Sequence, residues 1–542
     1  MLIFLVLGLT AEAGVLRIKG GEVSGFWPNG TVVVVEGPIW VPEGSGLVID
    51  SGVVITFEVT APFTIYGSFE ATGTERQPIR LNTPRGWAGF RFEENGYDVR
   101  RLTYVLMDEE SPLADSVIVM SDARVNLFKC NFRAEKSCLY AYGGRLRADS
   151  CRFFSTGLLC NTVYVNGLND NLANGCSSSE GNRFCNNMVV ADVPTRSGPF
   201  PPYRYTIGLK VNRVNNICLR GNVVEVIGPG DVVGVYFDER GGPGLLDLWE
   251  MWDCVVTSRS YNQQPCGVFN ANEGQLHIFQ CTIDVARAAP DNWYYSTGVA
   301  ASQSARVLVN SSAVQVDAGD IYFQSRSRGY VQVEYAVYWR TSGSRRAPEG
   351  LAPGNRDGFL NTGGENNNNY DSIVFRGPSY FTNPGFLLQG EWGDWRKLED
   401  VELYYGLHET SPCINAADSS RCPYDPDGTL PDIGRFFYYH SPSAAPNPVA
   451  DPLSREFVLS PPYPNPFNAM TVIPFEVPRS GYIRVLAFNV LGEEIAVLAS
   501  SRFAPGNHLI RWNGGSVPSG IYFVIAELDG IRTAARSVIL LK

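Results

Sequence analysis

The chain has 542 residues and a formal net charge of −11; 44% of residues are hydrophobic and only 18% are charged. That length fits several domains or one long repetitive one, and that hydrophobic content excludes wholesale disorder. The acidic balance argues against a nucleic-acid partner, which calls for a basic patch. With 55 Gly, 35 Pro, 26 Tyr and 29 Phe, the composition favours many short strands and turns over long helices.

The chain opens on an apolar run, Leu2 to Leu9, followed by Ala11-Glu12-Ala13. This reads as an export signal over residues 1–13; the alternative is a buried first strand. The run is far below the roughly 20 residues a bilayer-spanning helix needs. No other segment reads as a span, so no transmembrane anchor is expected.

Next come Leu47-Val48-Ile49-Asp50-Ser51-Gly52-Val53-Val54-Ile55-Thr56-Phe57, Phe63-Thr64-Ile65-Tyr66-Gly67-Ser68-Phe69-Glu70-Ala71, Gln77-Pro78-Ile79 and Gly86-Trp87-Ala88-Gly89-Phe90. The first carries two strands around a glycine turn, and the others continue the rhythm. A repeat follows. With Cys130 as position zero, Val125, Leu127 and Phe132 stand at −5, −3 and +2. The pattern returns around Cys151, Asn222, Cys254, Cys281, Ser312 and Ala336. The zero position is always small. The three-residue step from −3 to zero breaks the alternation, as a bend between two strands would. Gly157-Leu158, Gly234-Val235, Gly267-Val268 and Gly298-Val299 read as a further strand of the same coil. Residues 165–205 fit neither motif and read as an insertion. Units of roughly 20–35 residues without helical-repeat or propeller signatures point to a parallel β-helix. Its coils stack about 4.8 Å apart, so equivalent residues form ladders. Cys130, Cys151, Cys254 and Cys281 are then buried stacked thiols rather than nucleophiles, and parallel neighbours in one ladder are poorly placed for a disulfide.

The opening segments resemble the N-terminal coils of the pectate-lyase-like superfamily of right-handed parallel β-helix proteins. Ser51 and Phe69 replace that pattern's Pro and Leu. Gly377-Pro378-Ser379-Tyr380-Phe381-Thr382-Asn383-Pro384, Ser411-Pro412-Cys413-Ile414-Asn415-Ala416-Ala417-Asp418, Asp425-Pro426-Asp427-Gly428-Thr429 and Asp432-Ile433-Gly434 resemble its closing segments. The β-helix is placed at 15–437 and a Pro- and Ala-rich linker at 438–456.

Residues 457–542 alternate as short strands and read as a β-sandwich. Tyr463-Pro464-Asn465-Pro466-Phe467-Asn468, Asn489-Val490-Leu491-Gly492, Trp512, Pro518-Ser519-Gly520-Ile521-Tyr522-Phe523 and a tail ending at Lys542 carry a second resemblance. They are similar to the Ig-like C-terminal sorting domain (type A) of type IX secretion cargo. That resemblance implies the type IX secretion machinery as partner and a secreted or cell-surface location. The alternative is an Ig-like stalk without a sorting role. The fold class expected for the whole is all-β: a right-handed parallel β-helix followed by an Ig-like β-sandwich, acting as a monomer.

Twelve cysteines suit an exported, disulfide-permissive chain. Cys413–Cys422 is the first expected pair and Cys176–Cys185 the second. No zinc-ligand spacing occurs. The pectate-lyase-like resemblance implies, for a lyase, Asp or Glu ligands for calcium with an Arg or Lys base on one outer sheet, and, for a hydrolase, two carboxylates roughly 5–9.5 Å apart. The nearest cluster is Asp231 with Asp238-Glu239-Arg240, with Asp253 or Asp284 brought beside it by the ladders; the alternative is a solvated turn. Trp293-Tyr294-Tyr295 are candidates to stack on sugar rings, or to cap a loop. Asp418, Asp425, Asp427 and Asp432 offer hard oxygen ligands for calcium, or a turn organised by Asx and Pro residues. The expectation is an exported β-helix protein binding polysaccharide or another extended surface ligand. The rivals are a polysaccharide lyase or glycoside hydrolase on the same solenoid, and a structural or adhesive surface protein.

Overall fold

In a computed structural model, three short strands and three bends make each coil, and coil piles on coil. The structure describes residues 9–12, 15–94, 98–107, 115–158, 160–168, 182–194, 205–214, 217–238, 248–271, 274–287, 296–316, 321–326, 329–340, 359–362, 373–375, 380–381, 401, 404–421, 425, 429–438, 458–459, 467, 470–477, 481–489, 493–503, 506–514, 517–528, 531–532 and 536–540. Among these, sheet A has fifteen strands, from Leu9–Glu12 to Tyr380–Phe381. Sheet B has thirteen, from Gly21–Glu22 to Phe359–Thr362, and sheet C thirteen, from Gly25–Trp27 to Ile373–Phe375. Each strand pairs in parallel with its counterpart one coil on, giving a right-handed parallel β-helix. The exception is Leu9–Glu12, inside the segment read as an export signal, which pairs antiparallel with Val15–Ile18. No described helix is long and apolar enough to cross a membrane.

The sequence repeat marks one corner of this coil. Positions −5 and −3 end a sheet C strand, and position +2 lies in the next sheet A strand. The residue at −1 makes the bend. Tyr104, Lys129, Ser150, Asn186, Asp253, Gln280, Ser311 and Tyr335 all have φ between 47° and 55°, and Gly221, at the same place, has φ 70°. One left-handed residue per coil turns the chain sharply; for a non-glycine it costs roughly 1–2 kcal/mol. The zero-position ladder helps offset that cost by hydrogen bonding along the axis. Cys130 N–H donates to Cys151 Sγ (3.4 Å), Cys151 N–H to Asn187 Oδ1 (2.9 Å), Asn187 N–H to Asn222 Oδ1 (3.0 Å) and Cys281 N–H to Ser312 Oγ (3.1 Å). Burial pushes the Cys151 and Cys281 thiols well above their ordinary pKa. They are structural thiols, since a nucleophile must be a thiolate.

Two readings of the repeat need correction. Residues 165–205 are not wholly an insertion: Arg183–Cys185 and Met188–Asp192 are strands of sheets C and A, with Asn187 at zero. The coil escaped notice because Asn182 stands at −5, where an apolar residue was expected. Gly157-Leu158 is not a strand; it lies in the connection before Asn161–Asn166. There an added Cβ on Gly157 would meet Glu135 O at 2.0 Å. The other glycines do sit in sheet B. A Cβ on Gly234 would fall 2.3 Å from Val256 Cγ1, and one on Gly267 2.5 Å from Ile283 Cγ2. Sheet B approaches sheet A too closely there for any side chain.

The interior is filled by apolar ladders, including Phe132, Phe153 and Phe184, stacked at centroid spacings of 6.2 and 5.7 Å. A second apolar cluster lies outside the coils. Met188, Val223, Val255, Thr282, Ala313 and Val337 follow one another on the outer face of sheet A; the apolar members form this cluster. They are buried with Val401, Tyr404, Tyr405, Leu407, Cys413, Ala417 and Ile433. The described parts of 401–421 and 430–438 thus form a strap over sheet A.

The contacts divide the chain into two units: Met1–Pro423 with Leu430–Tyr438, and Tyr424–Thr429 with Tyr439–Lys542. In the second unit, a three-stranded sheet (Val458–Leu459, Met470–Val477, Gly506–Asn513) and a five-stranded antiparallel sheet form a β-sandwich around one core. Of the residues proposed as a sorting motif, Phe467, Gly520 and Tyr522 are described. Phe467 and Tyr522 pack on either side of Trp512, at 5.4 and 5.5 Å between centroids, and Tyr522 OH donates to Pro518 O (2.6 Å). Gly520 pairs with Leu540. Tyr463, Pro464, Asn465, Pro466, Asn468 and Lys542 lie outside the described residues.

Candidate functional site

The described residues among those singled out for chemistry do not converge. Asp231 opens the strand Asp231–Phe237 and Asp238 follows its end. Seven residues of extended chain separate them by on the order of 20 Å, beyond any acid–base pair. Asp231 Oδ1 accepts from Gln264 N–H (3.2 Å), and Asp238 is ion-paired with Lys210 (2.8 Å). Asp253 stands at the corner between sheets C and A, and Asp284 lies on sheet A beneath the strap. Neither is beside Asp231, because the ladders join equivalent positions of one sheet and these belong to different ones. Glu239, Arg240, Trp293, Tyr294 and Tyr295 lie outside the described residues.

Of the carboxylates proposed for calcium, those of Asp418 and Asp432 are engaged with protein. Asp432 accepts from Asn415 N–H and Tyr438 N–H, both at 2.6 Å. Asp418 accepts from Ser420 N–H (3.0 Å), Ser420 OH (2.6 Å) and Asn310 Nδ2 (3.2 Å). Burial raises the Asp418 pKa, but these hydrogen bonds and Arg421 outweigh it and leave it below the usual value. Among the described residues, no three His, Cys, Asp or Glu side chains gather as a metal site. Asp425 is buried, its N–H bonded to Thr429 O (2.9 Å), and Asp427 is outside the described residues.

Asp432 therefore ties the strap to itself, and Asp418 pins it to Asn310 of the solenoid. Asp418 N–H on Ser311 Oγ (2.9 Å), Gly434 N–H on Ser311 O (2.9 Å), Arg435 N–H on Thr282 Oγ1 (3.1 Å) and the Arg435 guanidinium on Asp253 O complete the fastening. Under it, Tyr405 OH donates to Asp284 Oδ2 (2.7 Å), and burial first, then Asp284, drives the Tyr405 pKa well up.

The expected disulfides are also corrected. Cys413 is a reduced thiol of the strap, buried in its contact with sheet A, and Cys185 is a reduced thiol on sheet C between Asp149 and Arg220. Neither Cys413–Cys422 nor Cys176–Cys185 forms; Cys218 is the described cysteine held in a disulfide. Short loop length suggested the pairs, but the pairing depends on which sheet face each cysteine occupies. Cys176 and Cys422 are outside the described residues.

A site that sequence reading missed lies on the outer face of sheet B. In register, one per coil, run Tyr140, Tyr164, Lys210, Tyr236, Phe269, Ala300 and Gln324. The first five are partly exposed; Ala300 and Gln324 are buried. Tyr140 and Tyr164 meet edge to face (5.0 Å between centroids), as do Tyr236 and Phe269 (5.2 Å), and Tyr205 flanks Tyr236 at 5.9 Å. The Lys210 ammonium sits 5.5 Å from the Tyr164 centroid and 5.2 Å from that of Tyr236, within cation–π range. Asn212 Nδ2 donates to Tyr164 OH (3.1 Å). Burial, then the nearby Asp238, raises the Tyr236 pKa, so its hydroxyl stays protonated at neutral pH. Where the row steps down from Phe269 to Ala300, a small open pocket of about 30 Å³ forms among Tyr205, Cys266, Phe269, Thr297 and Gln324.

This is a strip of apolar ring surface with polar tips at regular spacing. It offers stacking and hydrogen bonding, and it contains no paired carboxylates. The sequence held a signal for it: Tyr140, Tyr164, Tyr236 and Phe269 each occupy the same place in their strands. It becomes visible only once coils of unequal length are aligned. No protein-family model, curated protein or solved structure matches the chain.

Proposed function

We propose that this protein binds an extended polysaccharide along the outer face of sheet B, the sugar chain lying across the strands and parallel to the solenoid axis. The observation that carries the reading is the in-register row Tyr140–Tyr164–Lys210–Tyr236–Phe269. Its members recur at the strand spacing of about 4.8 Å. A linear polymer laid on such a row meets a similar group at each step, as extended ligands do on other solenoid surfaces. Aromatic side chains suit the apolar faces of sugar rings, and Lys210 and the tyrosine hydroxyls suit their edges. The opening and closing coils resemble the pectate-lyase-like superfamily, and the C-terminal sandwich resembles type IX sorting domains. In this reading the β-helix is exported by that route to the cell surface or medium.

The test is affinity electrophoresis of the full chain through a panel of soluble polysaccharides, with and without calcium. Retention on at least one polymer, weakened tenfold or more in the Tyr164→Ala/Tyr236→Ala variant, is expected. Equal mobility on every polymer would overturn the reading. New reducing ends or unsaturated uronate absorbance would move the assignment to a hydrolase or lyase. The export half is tested by fusing residues 457–542 to a reporter in a host with type IX secretion; a reporter left in the periplasm would defeat it.

A further inference from the structure

The concavity at the end of the aromatic row holds an unmet hydrogen-bonding demand. Gln324 is 2% exposed, and its carboxamide oxygen is buried with no hydrogen-bond partner. Buried acceptors are almost always satisfied, and leaving one unmet is costly. Around it the lining changes character: Tyr205 and Phe269 bring ring faces, Thr297 brings a hydroxyl, and Cys266 brings a reduced thiol of intermediate exposure. Gln324 follows Phe269 by two coils in the same row, with only the Ala300 methyl between them. The small residue there leaves about 30 Å³ beside Phe269, room for a hydroxyl. Ligand sites are typically concave and mostly apolar, with a few placed polar groups.

We infer that this concavity is the hydroxyl pocket of a single-ring subsite on the sheet B face. One pyranose rests outside it against Phe269 and Tyr205, and one ring hydroxyl enters the pocket and donates to Gln324 Oε1. The inference rests on the polysaccharide reading and sharpens it. The row supplies contact that any sugar chain can share, and the subsite selects the ring whose hydroxyl reaches Gln324.

Cys266 lines the subsite and reports on its occupancy. The full chain is pulsed with iodoacetamide, and alkylation of the Cys266 peptide is followed by mass spectrometry. The probes are methyl glucoside, methyl galactoside, methyl mannoside and N-acetylglucosamine at millimolar concentrations. At least one is expected to slow Cys266 alkylation fivefold or more without slowing Cys185, which serves as the internal control on sheet C. In Gln324→Leu that protection is lost, while the melting temperature does not fall, because the replaced oxygen holds no partner. Equal alkylation with every probe overturns the subsite, whatever the electrophoresis shows. Protection retained in Gln324→Leu overturns the role of the amide. Protection by a monosaccharide without retention on any polymer supports the subsite and sinks the extended row. Should Gln324→Leu fail to fold, Thr297→Val with the parent's alkylation pattern carries the comparison.

Discussion

Sheets A and B are built from the same coils at the same pitch, yet their outer faces end differently. On sheet A, from Met188 onward, the outward residues are Val223, Val255, Thr282, Ala313 and Val337 in one row and Val190, Glu225, Thr257, Asp284 and Gln315 in the next. All lie buried, the first row packed against the strap. On sheet B the outward residues from Tyr140 to Phe269 stay partly open to water. A parallel sheet covered on both faces reads as a continuous apolar run, and one covered on a single face alternates. Ile79–Asn82 and Val255–Ser260 show both habits within sheet A: the first alternates buried and exposed, the second begins with four buried residues in a row. The lesson is that a covered face is a second core, whereas the open one is surface able to bind.

The sharpest break of this contrast is to place a charge on each face. Val255→Asp buries an unpaired carboxylate beneath the strap and should cost more than about 3 kcal/mol. Tyr164→Asp, on the open face, should cost less than about 1 kcal/mol. Chemical-denaturation midpoints of the two variants measure the difference; equal losses would mean that both faces are covered. Next comes the shared wall. Gly267→Ala puts a methyl 2.5 Å from Ile283 Cγ2 and 2.7 Å from Gly298 O. Overpacking of this kind should cost about 1–3 kcal/mol, again read from the denaturation midpoint.

Tyr405→Phe removes the hydroxyl that donates to buried Asp284. It should weaken the strap by about 1–3 kcal/mol, seen as faster amide exchange over residues 401–421 while Tyr140–Tyr142 is unchanged. The smallest effect is the pH dependence. The Asp418 pKa is lowered from 3.8 in the folded chain. Its contribution is therefore complete above that value and is lost as pH falls through the lower folded value. Proteolysis of the strap by an acid-stable protease should accelerate as the pH drops below about 4, and Asp418→Asn should flatten that dependence.

The coils were legible because the zero position recurs with little variation in size. The fold followed from Val125, Leu127, Cys130 and Phe132 and their counterparts. The bend residue was not legible from residue type: Lys129, Ser150, Asp253 and Tyr335 share only a positive φ, imposed by the stacked coils around them. The strap's role was hidden because Asp418 and Asp432 look like metal ligands until Asn310, Asn415 and Tyr438 are seen donating to them. The aromatic row was hidden because loops of different length separate Tyr140, Tyr164, Tyr236 and Phe269. In a solenoid, chemistry is arranged across coils, at right angles to the direction in which a sequence is read.

The strap also bears on how such a chain can lengthen. A coil duplicated between Phe57 and Cys130 only adds a floor to the stack. A coil duplicated between Ser311 and Val337 would carry Asp284, Asn310 and Ser311 one storey away from Tyr405, Asp418 and Gly434, and each fastening would miss its mark. The strap thus works as a gauge: it fixes the number of turns in the half of the tower it spans and leaves the other half free to grow.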